Sequence, residues 1–453
     1  MQGVCVKRPL VLGIDTGTGK TAVAVLKARG DCKALYTDSC RHNADVRSGS
    51  GRSEQDVGKI RKSVVALVRR IPKNLRNDIA AVGLAGQMHG VLLLDKNGNP
   101  VSPLVTWQDR RCLEDARFLP KLETRTGRKL YSGYGCATLA WLAAHGGIPG
   151  KASKASTIHD YIGSWLCGVK TPVTDPTDAA SWGLFDVRSS NWITKDVKRA
   201  GIPVKLLPQI VPSGNEMGRV SPVVGRILGI RAGIPVAVAI GDNQASLIAT
   251  LSDPESELAL TLGTGGQLAA VLDKGRSMDA GATSEIRPFT EGRVMVVAAS
   301  LAGGSAWEWL AKTAASWSQE ISGKKVSLEA VYDMLNRLGA RANDAGLVIE
   351  PSFLGERFDE SLRGAIRGIS MGNFSLGIVA RSLAEGMMKN LVAMFPSKVL
   401  KGRRVVVGSG NALRHNSLIR HMVQTTLGLP LVLSGVREEA ACGAALNAKT
   451  LVM

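Results

Sequence analysis

The same succession of apolar and polar positions occurs twice in the chain, near residue 17 and near residue 263. An apolar run, at 9–14 and again at 258–260, precedes Gly-Thr-Gly at 17–19 and 263–265, and the segment that follows closes on Ala-Val-Leu. Each copy predicts a strand, a glycine turn and a second strand. The copies lie 246 positions apart (263 minus 17). Such a long internal period predicts two related domains.

Elsewhere along the chain, segments with the hydrophobic pattern of strands alternate with segments that have the pattern of helices. This alternation favours an α/β fold. Apolar runs predict strands at 79–85, 91–94, 235–240 and 294–300, and a one-sided apolar pattern predicts a helix over 376–395. The chain has 453 residues, which is too long for one ordinary core. We place an N-terminal domain at 1–245 and a C-terminal domain at 246–453.

Composition narrows the class of protein. The chain is 45% hydrophobic and 21% charged, no apolar stretch approaches the length of a membrane span, and the start leaves no room for a signal peptide. We therefore expect a cytoplasmic protein that does not bind membranes. The seven cysteines form no C-x-x-C pair, which favours reduced, packed thiols over disulfides or a zinc site.

The net charge of +19 is high, yet its basic residues occur in short clusters and only 4% of residues are aromatic. Stacking platforms for single-stranded nucleic acid are therefore scarce, and we interpret the charge as solvated surface and expect no nucleic-acid partner.

The repeated glycine turn suits phosphate binding, because backbone N–H groups in such a turn converge on an anion. Gly-Thr-Gly is also common in hairpins without any ligand. A Walker A loop is the alternative for Gly17-Thr18-Gly19-Lys20, but Ile14 stands where that loop needs glycine and the following residues alternate like a strand. Asp15 would hold Mg²⁺ beside a phosphate, or it would merely cap the turn.

Two further polar residues follow predicted strands. Asp242 comes after the run 235–240 and before a helical segment, so it is either a helix N-cap or a carboxylate that takes a proton from an attacking hydroxyl. His89 lies in a glycine-bracketed turn with Gln87 beside it and Trp107 and Asp109 downstream. A lone histidine is usually structural, but amides and carboxylates around an aromatic ring are typical of a sugar pocket.

Taken together, these residues resemble the FGGY carbohydrate kinases over nearly the whole chain. The resemblance rests on the order and spacing of several segments, which are Gly86-Gln-Met-His-Gly90, Leu104-Val-Thr-Trp-Gln-Asp109, Gly135-Cys-Ala-Thr138, Thr157-Ile-His-Asp-Tyr161, Ala179-Ala-Ser-Trp-Gly183, Gly241-Asp242, Leu354-Gly-Glu-Arg357 and Gly408-Ser-Gly410. It implies two ribonuclease-H-like domains of the actin and hexokinase type, with the active site in an interdomain cleft.

The resemblance also implies a role for individual residues. Asp242 would be the catalytic base, and Asp15 would hold the metal. The residues expected in the sugar pocket are Gln87, Met88, His89, Trp107, Asp109, Asp160 and Asn243. The residues expected to bind the nucleotide are Gly17, Thr18, Lys20, Gly263, Thr264, Gly265, Gly266, Gly408, Gly410 and Asn411.

Four positions depart from the family pattern. Lys20 stands where serine is usual and Ala22 where lysine is usual, Gly265 replaces a serine, and Ile378 replaces a polar residue. We expect Lys20 to supply the positive charge of the missing lysine from two positions earlier.

The implied activity is the transfer of phosphate from Mg-ATP to a small ketose. The resemblance favours sedoheptulose, giving sedoheptulose 7-phosphate for the pentose phosphate pathway, with xylulose or another ketose as the alternative. A nucleotide-binding module without transfer activity is the alternative from a different class, motivated by the altered first turn. The sequence does not determine the oligomeric state.

Overall fold

The computed structural model describes residues 9–29, 33–46, 49–273, 281–359 and 361–452. These residues form two compact units. The first runs to Ala249 and also includes Pro288–Glu291 and the residues from Val436 onward, and the second consists of Thr250–Arg287 and Gly292–Gly435. The end of the chain therefore belongs to the first unit.

The elements of the first unit are short, apart from the strands of its central sheet and helix α1. The strands are β1 (Leu10–Thr16), β2 (Lys20–Lys27), β3 (Ala34–Arg41), β4 (Asp45–Val46), β5 (Glu54–Gln55), β6 (Ile79–Gly86), β7 (Leu92–Leu94), β8 (Leu104–Val105), β9 (Lys154–Ser156), β10 (Val173–Thr174), β11 (Phe185–Asp186), β12 (Asn191–Trp192), β13 (Gln209–Ile210), β14 (Glu216–Arg219), β15 (Pro235–Ala237) and β16 (Ile240–Gly241). The helices are α1 (Val57–Arg70), α2 (Lys73–Asn77), α3 (Phe118–Thr126), α4 (Gly135–Ala144), α5 (Ile158–Cys167), α6 (Pro176–Ser181), α7 (Thr194–Arg199), α8 (Pro222–Leu228) and α9 (Asp242–Thr250).

The second unit has longer helices. Its strands are β17 (Glu257–Leu262), β18 (Gly266–Leu272), β19 (Glu285–Pro288), β20 (Val294–Ser300), β21 (Val348–Glu350), β22 (Ala365–Arg367), β23 (Val405–Ser409) and β24 (Leu431–Leu433). Its helices are α10 (Gly304–Ser322), α11 (Leu328–Arg341), α12 (Leu376–Met394), α13 (Ser397–Leu400), α14 (Asn411–His415) and α15 (Ser417–Leu427).

The central sheets of the two units repeat one pairing pattern. In the first, the order is β14-β15-β6-β1-β2-β3, where β1, β2 and β3 are successively antiparallel and β6 and β15 are parallel to β1. In the second, the order is β19-β20-β18-β17-β23-β24, with β17, β18 and β20 antiparallel and β23 and β24 parallel to β17. The duplication that the sequence predicts is therefore confirmed, because both glycine turns join equivalent hairpins.

Hydrophobic burial follows the same plan in both units. Strand β1 is buried along its whole length, and α1 packs Ile60, Val64 and Leu67 against the same core. In the second unit, α12 packs its buried face on the core that β17 and β18 share. The helix predicted at 376–395 is α12, which begins after the Ser375 cap and ends before Phe395.

One predicted strand is interrupted, and this shapes the site. The run 235–240 forms β15 and β16 with a break at Val238, because the Val238 N–H donates to the Asn215 carbonyl and its own carbonyl accepts from the Asn447 side chain. Strand β16 then resumes beside β6. Helix α9 follows at once and begins at Asp242, earlier than the sequence pattern indicates.

The last helix, α16 (Glu439–Ala448), lies directly on the central sheet of the first unit. A Cβ atom at Gly13 of β1 would overlap the carbonyl oxygen of Ala441, and one at Gly83 of β6 would overlap that of Ala444. Only glycine permits this approach of helix and strand backbones. The helix therefore covers the two strands whose ends carry the candidate site.

The cysteines and the hydropathy of the helices bear on two expectations from composition. Cys40, Cys112, Cys136, Cys167 and Cys442 are free thiols, and burial raises the pKa of Cys112 to about 12. The other two cysteines, at 5 and 32, lie outside the described residues. None of the described helices has both the length and the hydropathy that a bilayer span requires.

Candidate active site

The first glycine turn is held in place by side chains from three other segments. The Gln55 side chain donates to the Thr18 carbonyl at 2.7 Å, and the Trp107 indole N–H donates to Thr18 Oγ1 at 2.9 Å. His42 Nε2 donates to the Gly17 carbonyl at 3.2 Å. Because β2 follows this turn, where a Walker A loop would open a helix, the P-loop alternative is wrong.

Lys20, the first residue of β2, has a partner that the sequence pattern did not indicate. Its ammonium lies 2.6 Å from a carboxylate oxygen of Glu438, and half of the lysine side chain remains exposed. Glu438 directly precedes α16 and has the left-handed backbone conformation, with φ +49°. The end of the chain therefore places a carboxylate beside the first glycine turn.

Asp15 lies at the carboxyl end of β1 and is 7% exposed. The pKa of its carboxyl group is raised to about 8, mainly by burial and next by the nearby Asp242 carboxylate, while Lys20 opposes the shift. Its Oδ1 atom has no hydrogen-bond partner within the described residues. A buried carboxylate oxygen without a partner, close to a second carboxylate, fits a hard divalent cation.

The sheet register explains why Asp15 and Asp242 lie close together. Asp15 pairs with Ala85 of β6, and on the other side of β6 Gly241 of β16 pairs with Gly86. The three strands are parallel, so their carboxyl ends lie at one edge of the sheet, where α/β proteins bind ligands. Asp242 is the first residue after β16 and is partly exposed.

Gln87, Met88 and His89 follow β6 at the same edge. The Gln87 amide donates to Gln55 Oε1 at 2.9 Å, and Gln55 in turn donates to the first glycine turn. Met88 is buried, and its thioether packs so closely on Gly241 that an added Cβ atom there would overlap it. These contacts connect the segment after β6 to both the first glycine turn and the strand that precedes Asp242.

His89 has a left-handed backbone, with φ +70°, which is uncommon outside glycine and marks a constrained position. Its backbone N–H donates to Ser181 Oγ at 3.0 Å, and its Nδ1 lies 2.5 Å from the Ser181 carbonyl. A carbonyl only accepts, so Nδ1 carries the proton. The ring also stacks on Tyr134 with centroids 4.8 Å apart, so its orientation is fixed.

Trp107 and Asp109 belong to one loop but have different surroundings. Trp107 is 40% exposed, as a sugar platform would be. Asp109 is buried, and its two oxygens accept from the Ser53 N–H at 2.8 Å and from the Arg111 guanidinium at 2.7 Å. Arg111 also bonds Glu54 at 2.6 Å, so Asp109 is part of a network that stabilises the loop.

Asp160 and Asn243, like Asp109 and Trp107, are one buried and one partly exposed residue. Asn243 is partly exposed beside Asp242, whereas Asp160 is fully buried in α5, and burial raises its pKa to about 7. Asp160, His159 and Asp178 each place a possible metal-ligand atom within 4.8 Å of the others. His159 Nε2 and Asp178 Oδ2 already bond one another at 2.7 Å, and burial lowers the pKa of His159. Both carboxylate oxygens of Asp160 lack a hydrogen-bond partner within the described residues, so we interpret the group as a bonded His159–Asp178 pair with Asp160 packed beside it.

The second glycine turn lies against the start of α10. The carbonyls of Gly263 and Thr264 accept from the N–H groups of Gly304 and Gly303 at 2.8 and 3.0 Å, and a Cβ atom at Gly303 would overlap Gly265. Backbone therefore meets backbone at this contact. Gly266 begins β18, and Gly408 lies within β23.

A cavity of about 850 Å³ opens beside this turn, entirely within the second unit. Of the residues predicted to bind nucleotide, Gly263, Thr264, Gly410 and Asn411 line it. Its volume lies in the range of ordinary cofactor pockets. Gly410 has φ +94°, and a Cβ atom there would overlap the backbone of Leu262, so this turn requires glycine.

Sequence reasoning missed the helices that complete the cavity. Trp307 on α10, Tyr332 on α11 and Asn416 before α15 all line it. Trp307 Nε1 and Asn416 Nδ2 are buried donors without a hydrogen-bond partner in the described part of the chain, while Asn416 Oδ1 caps α15. Two aromatic rings and two available donors suit a planar heterocyclic base.

The paired sheets, the glycine turns and the strand-end carboxylates define a two-domain kinase of the actin and hexokinase type. The chain matches the N-terminal domain of the FGGY family of carbohydrate kinases over residues 10–249 and the C-terminal domain of that family over 258–450. This protein therefore belongs to the FGGY family of carbohydrate kinases, which are ATP-dependent sugar kinases.

Individual relatives agree with this assignment. The chain is 33% identical to sedoheptulokinase of Homo sapiens over 97% of both chains, and 26% identical to xylulose kinase of Staphylococcus xylosus over 83% of this chain and 77% of that one. The solved structure of gluconate kinase from Lactobacillus acidophilus has a TM-score of 0.83 at 20% identity, covering 98% of this chain and 89% of that one. At that identity the structural likeness shows the fold alone.

Proposed function

We propose that this protein transfers the γ-phosphate of Mg-ATP to sedoheptulose, giving ADP and sedoheptulose 7-phosphate, in the cytoplasm. The observation that supports transfer chemistry is the pair of carboxylates, Asp15 and Asp242, at the carboxyl ends of two parallel strands that flank β6, next to the first glycine turn. The observation that supports the sugar is the greater similarity to the human sedoheptulokinase than to the xylulose kinase.

In this proposal Asp242 orients the primary hydroxyl of the sugar and accepts its proton. Phosphoryl transfer needs an in-line hydroxyl and donors to the phosphate oxygens, with little covalent work for the protein. The N–H groups of the turns at 17–19 and 263–265 supply such donors, and the cavity of the second unit binds the adenosine. Mg²⁺, when bound near Asp15, offsets the charge of the phosphates.

The proposed sugar pocket is lined by the side chains of His89, Trp107 and Asn243. Gln87, Asp109 and Asp160 stay in the prediction as buried groups beneath this lining, and Asp109 already accepts from Arg111. Hydrogen bonds around the pocket limit the movement of the bound sugar, and so of its primary hydroxyl relative to Asp242. Such positioning lowers the activation barrier of the transfer.

The substrate is tested with the purified protein, Mg-ATP and a panel of sedoheptulose, xylulose, ribulose, gluconate and glycerol, with ADP release and the phosphorylated product both measured. We expect the highest kcat/KM for sedoheptulose. A higher value for xylulose would reassign the substrate while keeping the reaction. ATP hydrolysis that no sugar stimulates, with no phosphorylated product, would favour the nucleotide-binding module instead.

Lys20 provides a separate prediction, because its ammonium lies at the start of β2 beside the turn. Lys20→Met keeps the length of the side chain and removes its charge. We expect the KM for ATP to rise roughly 10-fold or more, because a hydrogen bond to a charged group contributes about 1.5–3 kcal/mol. Steady-state kinetics with varied ATP measure this.

The matched control is Lys62→Met, which removes the same charge from an exposed position on α1. Glu438→Gln is the complementary variant, since it removes the partner of Lys20 and leaves the ammonium in place. We expect its KM for ATP to stay at or below that of the wild type. Equal KM values for Lys20→Met and Lys62→Met would remove Lys20 from phosphate binding.

A further inference from the structure

Gly241 directly precedes Asp242, and its backbone N–H is bonded to a side chain from a distant part of the sequence. Gly241 donates to Thr177 Oγ1 at 2.9 Å, and 64 residues separate the two. Strand β16 has only two residues, so this bond is one of the few that fix it. The residue before Asp242 is therefore bonded to a threonine that neither the family motifs nor the hydrophobic pattern indicate.

The Thr177 hydroxyl has a fully determined orientation. Its proton goes to Asp175 Oδ1 at 2.8 Å, which leaves a lone pair to accept from Gly241. The same Asp175 oxygen caps α6 by accepting from the Asp178 N–H at 3.0 Å. Thr177 is 2% exposed and Asp175 is fully buried, so water does not compete for these bonds.

Helix α6, which carries Thr177, is itself anchored. Asp178 bonds His159 of α5 at 2.7 Å, and Ser181 at the end of α6 bonds the backbone N–H of His89 at 3.0 Å. Helix α6 thus bonds both Gly241, which precedes Asp242, and His89 itself. On its other side, Gly241 packs closely against the side chains of Met88 and Gln244, with which an added Cβ atom would overlap.

We propose that Thr177, oriented by Asp175, is a positioning residue that fixes the backbone at Gly241 and so holds Asp242 in line with the sugar hydroxyl. The proposal rests on the assignment of Asp242 as the base. A displacement of about 1 Å in a reacting group costs on the order of 10²-fold in rate, so a lost anchor lowers kcat even when both substrates still bind.

The test compares two substitutions at one position. Thr177→Val keeps the shape of the side chain and removes the hydroxyl, whereas Thr177→Ser keeps the hydroxyl. We expect Thr177→Val to lower kcat roughly 10–100-fold while the KM values for ATP and sugar change less than about 3-fold, and Thr177→Ser to keep most of the wild-type kcat.

Thr126→Val is the matched control for general destabilisation. Thr126 is also buried, at 4% exposed, and its hydroxyl donates to the Leu122 carbonyl at 2.8 Å on α3, which carries none of the proposed site residues. We expect it to lower the thermal unfolding temperature about as much as Thr177→Val does, with kcat unchanged. Hydrogen exchange supplies a readout apart from activity, since the Gly241 amide should exchange faster in Thr177→Val alone.

An unchanged kcat in Thr177→Val, or an equal loss in Thr177→Ser, would overturn the proposal, and so would a Gly241 amide that exchanges as in the wild type. The kcat comparison uses whichever acceptor the wild-type protein phosphorylates, water included. If the wild-type protein does not phosphorylate sedoheptulose, the proposed function is contradicted, but the comparison of Thr177→Val with Thr177→Ser can still be made with another acceptor.

Discussion

Replacing Asp242 by asparagine is expected to lower turnover by roughly 10²–10⁴-fold, the range typical of a lost general base. Asparagine has nearly the same shape but cannot accept the proton of the attacking hydroxyl. The affinity for ATP should change little, because the cavity that we propose for the adenosine lies within the second unit. Steady-state kinetics at saturating ATP and sugar measure the effect.

A loss of folding can be separated from a loss of the base. The Asp242 carboxylate lies near Asp15 and Asp178 and raises the pKa of both, so its removal relieves repulsion. We therefore expect the thermal unfolding temperature of Asp242→Asn to equal or exceed that of the wild type. Asp253→Asn, at an exposed loop position, is the control. Near-normal turnover in Asp242→Asn would remove this residue from the role.

The largest effect on stability is expected at Gly83, where β6 meets α16. A methyl group there would overlap the Ala444 carbonyl, so Gly83→Ala must push the helix away from the sheet. Overpacking usually costs 1–3 kcal/mol, and a backbone obstacle cannot rotate aside as a side chain can. We expect a loss of about 3 kcal/mol or more in the free energy of unfolding.

Urea unfolding measures this loss. Gly150→Ala is the control, because Gly150 has no atom within contact distance of an added Cβ and no positive φ. Its unfolding midpoint should stay within error of the wild type. If Gly83→Ala unfolds at the same urea concentration as the control, the close packing of α16 on β6 is not needed for stability.

The repeated hairpins were predictable because their pattern is local. Strand β1 is buried throughout and begins with five residues that carry no polar side chain, and each turn consists of three small residues. The same holds for two longer elements. Strand β20 matches the strand predicted at 294–300, and α12 matches the helix predicted at 376–395 to within one residue. Periodicity over seven or more residues is a signal that tertiary context seldom reverses.

The interrupted strand after residue 235 was not predictable in this way. Its six apolar residues support a single strand, and the break at Val238 arises from bonds to Asn215 and Asn447, which are remote in sequence. Lys20 gives a similar case, since its partner Glu438 is 418 residues away. No local pattern contains such a pairing, because the fold alone brings the residues together.

The sequence by itself determined that this protein has two related α/β units, a pair of glycine turns and the candidate carboxylates Asp15 and Asp242, because each is encoded by residues adjacent in the chain. The tertiary structure alone decided that α16 belongs to the first unit, that Asp109 and Asp160 are buried, and that Thr177 holds the strand end before Asp242. Burial and hydrogen bonding across the fold depend on which distant segments meet, and that depends on packing rather than on local pattern.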